Sequence, residues 1–154
     1  MKRKNKKLII TQIDRRLQTL QPLRDMEYPK EGWIVLIRKT LNMPLRQLGE
    51  RLSVTPQGVA KIEKNEAEGS ITLNSLREAG DALNMKLVYG FVSKDGSLEK
   101  MIEKRAAELA HKIVMRTSAT MKLEDQENSD QRIREAIADM TEELKREMPK
   151  SLWD

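Results

Sequence analysis

A chain of 154 residues has room for one domain of ordinary size, or for a small domain with an extended appendage, and excludes two large domains. With 34% charged and 3% aromatic residues, its apolar content rests on Leu, Ile, Met and Ala, mostly good helix formers, so the composition points to a helical protein. Cysteine is absent, which excludes disulfides and thiolate metal sites and fits a reducing compartment, and no apolar run approaches the length of a membrane span.

The net charge of +5 is unevenly spread: residues 1–64 carry 15 Lys and Arg against 6 Asp and Glu, and residues 65–154 carry 14 against 18. A basic half and an acidic half suit different partners. The opening "MKRKNKK" either touches phosphates or is a solubilising tail. The following "LII" is too short for the apolar region of a signal peptide, so a cytoplasmic protein is expected.

In residues 1–31 a basic segment leads into one amphipathic helix, about Lys6 to Gln21, with Leu8 or Ile9, Ile13, Leu17 and Leu20 on its apolar stripe. "PLRDMEYPKEG", with two prolines and a glycine, reads as a connection. Residues 32–84 then hold four short helical patterns. Their stripes are Trp33, Leu36, Ile37 and Leu41; Leu45, Leu48 and Leu52; Val59 and Ile62; and Leu73, Leu76, Ala79 and Leu83. Thr55, followed by Pro56, and Thr72 are expected N-caps.

The period changes in residues 85–96. Met85, Leu87, Tyr89 and Phe91 alternate with Lys86, Val88, Gly90 and Val92, a strand pattern. A single strand leaves a row of unpaired N–H and C=O groups, so pairing with the same strand of a second copy across a two-fold axis is expected, giving a homodimer.

Residues 97–154 read as a helical extension. Ser97, after the Asp95-Gly96 turn, is expected to cap a long helix with Leu98, Met101, Ile102, Leu109, Ile113 and Met121 on its stripe. "EDQENSD" is a polar break, and a last helix, about Asp130 to Met148, carries Ile133, Ile137, Met140 and Leu144. In the closing "PKSLWD", Trp153 either anchors in a partner's pocket or folds back on its own domain.

Counting Leu45 as the first of twenty positions, Leu48, Leu52, Val54, Val59 and Ile62 fall at the fourth, eighth, tenth, fifteenth and eighteenth, and Gly49 at the fifth. From Gly32 to Leu83 the chain resembles the helix-turn-helix of lambda-repressor-like (Xre) regulators. Two helices crossing steeply need a small residue at closest approach, which Gly49 supplies, and the second helix is then free to enter a major groove. By the resemblance, Thr55, Gln57, Gly58 and Lys61 occupy groove-facing positions. Arg46 and Gln47, with Lys64 and Asn65, would contact phosphates and set register. Gln suits an adenine edge and Lys the acceptors of guanine.

Ser53 stands where the family usually has glycine, which is tolerable if its backbone avoids positive φ. Gly58, inside the second helix, costs roughly 1 kcal/mol relative to alanine; it either permits closer approach to DNA or reflects a weak helix. The expected fold is therefore mainly α: a lambda-repressor-like helix-turn-helix domain, one short β-strand pairing across a dimer, and a C-terminal helical extension. A palindromic operator in double-stranded DNA follows from the two-fold.

A longer resemblance covers nearly the whole chain. "GWIVLIRKTLNMPLRQLGERLSVTPQGVAKIE", "ALNMKLVYGFVSKDGSLE", "RTSATMKLEDQ" and "LWD" together resemble the family called mobile mystery protein A. Its members look like regulators encoded beside a Fic-domain protein, an enzyme class that transfers AMP from ATP to protein hydroxyls. The resemblance implies an antitoxin-like repressor of its own operon that inhibits that partner. Fic inhibitors often carry a helical Ser/Thr-x-x-x-Glu-Gly/Asn motif; here Thr120 and Glu124 have its spacing, and Asp125 departs from its last position. A carboxylate competing with phosphate for a guanidinium is sound chemistry. Read from the residues alone, Glu124 is a solvated charge near a helix end.

An enzyme is the rival class. His111, the only histidine, follows Glu108 at the Glu-x-x-His spacing of helical di-iron sites, but one copy is not a site. Neither a phosphate-binding glycine loop nor a zinc-ligand pair occurs, so no catalytic residue, metal or cofactor is expected. RNA binding would want exposed aromatic platforms, which 3% aromatics scarcely build. A plain dimeric repressor whose C-terminal helices only extend the dimer is the alternative to an antitoxin.

Overall fold

The structure is a computed structural model that describes residues 3–121 and 129–154. Among these lie seven α-helices: α1 (Arg3–Gln18), α2 (Trp33–Thr40), α3 (Leu45–Leu52), α4 (Pro56–Glu68), α5 (Leu73–Ala82), α6 (Leu98–Met121) and α7 (Ser129–Glu147). The fold is mainly α, and among the described residues no helix is long and apolar enough to cross a membrane. Two compact units are present: a central one, Asp25–Tyr89, and a terminal one, Met1–Arg24 with Gly90–Asp154.

The central unit packs α2 to α5 around Ile34, Leu48, Val59, Ala79 and Leu83, with Ile37, Leu45, Leu52, Ile62 and Leu76 partly buried against them. On α2 the buried face is not the expected one. Trp33, Leu36 and Leu41 are exposed, and Ile34 and Arg38, four residues apart and hence stacked on one face, point inward. An apolar-only stripe misses this face because one of its members is charged.

The helices of this unit stop at residues in left-handed backbone: Asn42 (φ 53°), Ser53 (φ 58°), Gly69 (φ 81°) and Asn84 (φ 57°). After each, an amide reaches back into the last turn, as Met43 N to the Arg38 carbonyl at 3.0 Å and Met85 N to that of Gly80 at 2.7 Å. Thr55 Oγ1 accepts from Gly58 N at 3.0 Å and Thr72 Oγ1 from Ser75 N at 3.1 Å, the two expected N-caps.

The segment expected as a strand, residues 85–92, forms no ladder, and no strand occurs among the described residues. A ladder needs a neighbour, and the described chain supplies none. Val88, Tyr89 and Phe91 stand 70%, 62% and 84% exposed, with the Arg77 guanidinium 5.8 Å from the centre of the Tyr89 ring.

In the terminal unit α6 and α7 pack along their lengths, with Ala106 and Ala110 fully buried on α6. Ile102, Ala106 and Leu152 form the centre, flanked by Ile10, Leu109, Leu144 and Met148. On α1 the inward positions are Ile10, Asp14 and Leu17, so Leu8, Ile9 and Ile13 of the expected stripe lie exposed. Asp14 displaces the stripe by one residue because its carboxylate caps α6. It accepts from Leu98 N at 2.7 Å and Glu99 N at 3.2 Å, while Ser97 Oγ accepts from Lys100 N at 3.1 Å as expected. After α7 a short 3-10 turn, Lys150–Trp153, folds back; Leu152 is fully buried and Trp153 is 53% exposed.

Candidate functional site

α3 and α4 are joined by only Ser53, Val54 and Thr55. Val54 N donates to the Gly49 carbonyl at 2.9 Å, and a Cβ on Gly49 would lie 2.6 Å from the Val54 carbonyl oxygen. Gly49 is thus required by the backbone of the turn itself. Ser53 does adopt positive φ, contrary to the condition under which a non-glycine is comfortable there. Left-handed backbone costs an ordinary L-residue about 1–2 kcal/mol, which the rest of the turn offsets.

Two carboxylates of α4 tie it to α2. Arg38 and Glu63, each 8% exposed, form a two-pronged pair: Nε to Oε1 at 2.5 Å and Nη2 to Oε2 at 3.2 Å, with Arg38 Nη1 donating to the Met43 carbonyl at 2.9 Å. Glu66 Oε1 accepts from Ile34 N at 2.9 Å, capping the first turn of α2, and a Cβ on Gly32 would lie 2.5 Å from that oxygen. With Val59 fully buried on the same inner face, the rotation of α4 about its axis is set.

The outer face of α4 carries Gln57, Ala60, Lys61 and Lys64, all exposed. The side chains of Gln57 and Lys61 make no hydrogen bond or ion pair among the described residues. Thr55 is exposed at the start of the same face; its oxygen serves the cap, and its O–H remains free to donate outward. Gly58 is placed differently. It is half-buried, and a Cβ there would sit 3.3 Å from both Thr55 Oγ1 and Val54 Cβ, so it faces the turn.

Of the four residues expected at phosphates, Arg46 is exposed and pairs with Glu50 at 2.7 Å, and Lys64 is exposed 3.8 Å from Glu68. Such exposed pairs are weak and exchange readily for another anion. Gln47 is exposed and lines a shallow hollow with Glu50 and Arg51. Asn65 is half-buried, and its main-chain carbonyl closes the end of α4 by accepting from Ser70 N at 2.9 Å.

Pattern reading passed over Arg38 and Glu63, which hold the face in place, and Arg51, whose Nη1 donates to the Ala82 carbonyl at 3.1 Å. The available signal was the spacing of Arg38 four residues after Ile34, and the position of Glu63 four after Val59. Of the proposed inhibitory pair, Thr120 falls near the end of α6 with its side chain outside the described residues, and Glu124 lies outside them altogether. His111 is exposed, and Glu108 pairs with Arg105 at 3.4 Å.

No family model, curated protein or solved structure matches the chain.

Proposed function

We propose that the central unit is a lambda-repressor-like helix-turn-helix, and that it binds duplex DNA by laying α4 in the major groove. The observation that carries this reading is the outer face of α4: a free amide at Gln57 and a free amine at Lys61, on a helix whose rotation is fixed from behind by Glu63 and Glu66. Gln57 and Lys61 read base edges, with Thr55 at the groove rim. Gly58 keeps the helix start close to its turn. Arg46, Gln47, Lys64 and Asn65 meet phosphates, the first and third by exchanging carboxylate for phosphate.

The exposed segment around Val88, Tyr89 and Phe91 pairs with its counterpart in a second copy, which supplies the missing strand and makes the DNA target palindromic. In a gel-shift assay, wild-type protein should bind a duplex from its own promoter as two copies per palindrome. Gln57→Ala with Lys61→Ala removes two base contacts of about 1–3 kcal/mol each, a loss of roughly thirtyfold or more, with circular dichroism unchanged. Undiminished binding by that variant, or one copy per palindrome, rejects the reading.

The resemblance to mobile mystery protein A extends the proposal to an antitoxin that inhibits a Fic-domain partner through Thr120 and Glu124. Glu124→Ala protein mixed with that partner should leave AMP transfer uninhibited. Full inhibition by the variant would remove Glu124 from the account and leave a dimeric repressor.

A further inference from the structure

A cleft of about 570 Å³ opens on the terminal unit where α1, the start of α6 and the end of α7 meet. Its floor is apolar: Ile10, Ile102 and Met148 belong to the cluster that Leu152 closes. Its rim is mostly cationic, with Lys6 and Lys7 from α1 and Lys145 and Arg146 from α7, against Glu99 and Glu142.

These charges are not equally free. Lys145 Nζ lies 3.4 Å from Glu142, and Lys6 Nζ donates to the Glu147 carbonyl at 3.5 Å. The side chains of Lys7 and Arg146 make no hydrogen bond or ion pair among the described residues. Two uncommitted, exposed cations therefore line the same cleft as the apolar floor, in a volume within the range of small-molecule sites.

We propose that this cleft binds a small amphipathic anion: an aliphatic body on Ile10, Ile102 and Met148, and a single carboxylate against Lys7 and Arg146. A polyanion would leave the floor unused and would meet Glu99 and Glu142. A neutral apolar molecule would leave the two cations unanswered. One charge on one short chain satisfies both parts of the site. This site is independent of the DNA-binding reading.

The test is methyl NMR on the full chain with labelled isoleucines, titrated with decanoate below its micelle-forming concentration. Saturable shifts of the Ile10 and Ile102 methyls are expected, with Ile34 and Ile37 unmoved. Decanol and acetate, the apolar and the charged halves of the ligand, should each bind at least tenfold more weakly. Lys7→Glu with Arg146→Glu should weaken decanoate at least tenfold, and Lys7→Gln with Arg146→Gln should fall between. Unchanged Ile113 and Ile137 signals, from the terminal unit but outside the cleft, report that each variant is folded. Absence of saturable shifts, decanol binding as tightly as decanoate, or undiminished binding by the charge-reversed protein overturns the proposal.

Discussion

Glu63→Ala should destabilise the central unit by about 3–5 kcal/mol, the cost of leaving a buried cation without its counter-ion. Arg38 is 8% exposed, and once Glu63 is gone the Met43 carbonyl is its one remaining partner among the described residues. Glu63→Gln should cost less, because an amide oxygen still accepts one hydrogen bond. Replacing both members, Arg38→Met with Glu63→Leu, should recover most of the loss, since an apolar pair of similar volume carries no desolvation penalty. The measurement is urea unfolding of the full chain followed by tryptophan emission in a Trp153→Phe background, where Trp33 reports the central unit alone. A loss below about 1 kcal/mol for Glu63→Ala would mean that the guanidinium escapes to water and the pair does not hold α4.

Leu152→Ala should cost about 2–5 kcal/mol, the usual range for emptying a closed apolar site. The side chain is fully buried against Ile102 and Ala106, on a turn of only four residues. Arg105 holds the turn from outside, donating from Nε to the Leu152 carbonyl and from Nη2 to the Asp154 main-chain oxygen. Losing the leucine removes the fully buried apolar side chain of that segment. In a Trp33→Phe background, Trp153 emission should shift towards the solvent-exposed value at low urea, before the helices unfold. An unshifted spectrum, with an unfolding midpoint equal to that of the parent, would show that Arg105 alone keeps the segment docked.

The anchor was half legible. In the closing "PKSLWD" the isolated Trp153 is the conspicuous residue of a charged segment, yet it stays 53% exposed while its modest neighbour is buried. Which of two adjacent apolar residues points inward depends on the backbone path after Met148, whose φ is 44°. Such a break is not written in side-chain character. The same limit explains α1, where Ile9, Ile10 and Ile13 are equally apolar and only the demand of α6 for a cap at Asp14 selects Ile10.

The sequence by itself determined the helical class, the places where α4 and α5 begin, and the tight α3–α4 turn. These are local matters: a threonine oxygen within reach of an amide three residues on, a proline at the first helical position, a glycine where two backbones touch. Only the tertiary structure decided which faces are buried. It placed an arginine and a glutamate inside the central unit, used a carboxylate of α1 to start α6, and left residues 85–92 without a partner strand among the described residues. The physical reason is that hydrophobic patterning ranks each residue by its own transfer free energy. A buried ion pair or a borrowed helix cap has its value only with a second group, 25 or 84 positions away in the chain.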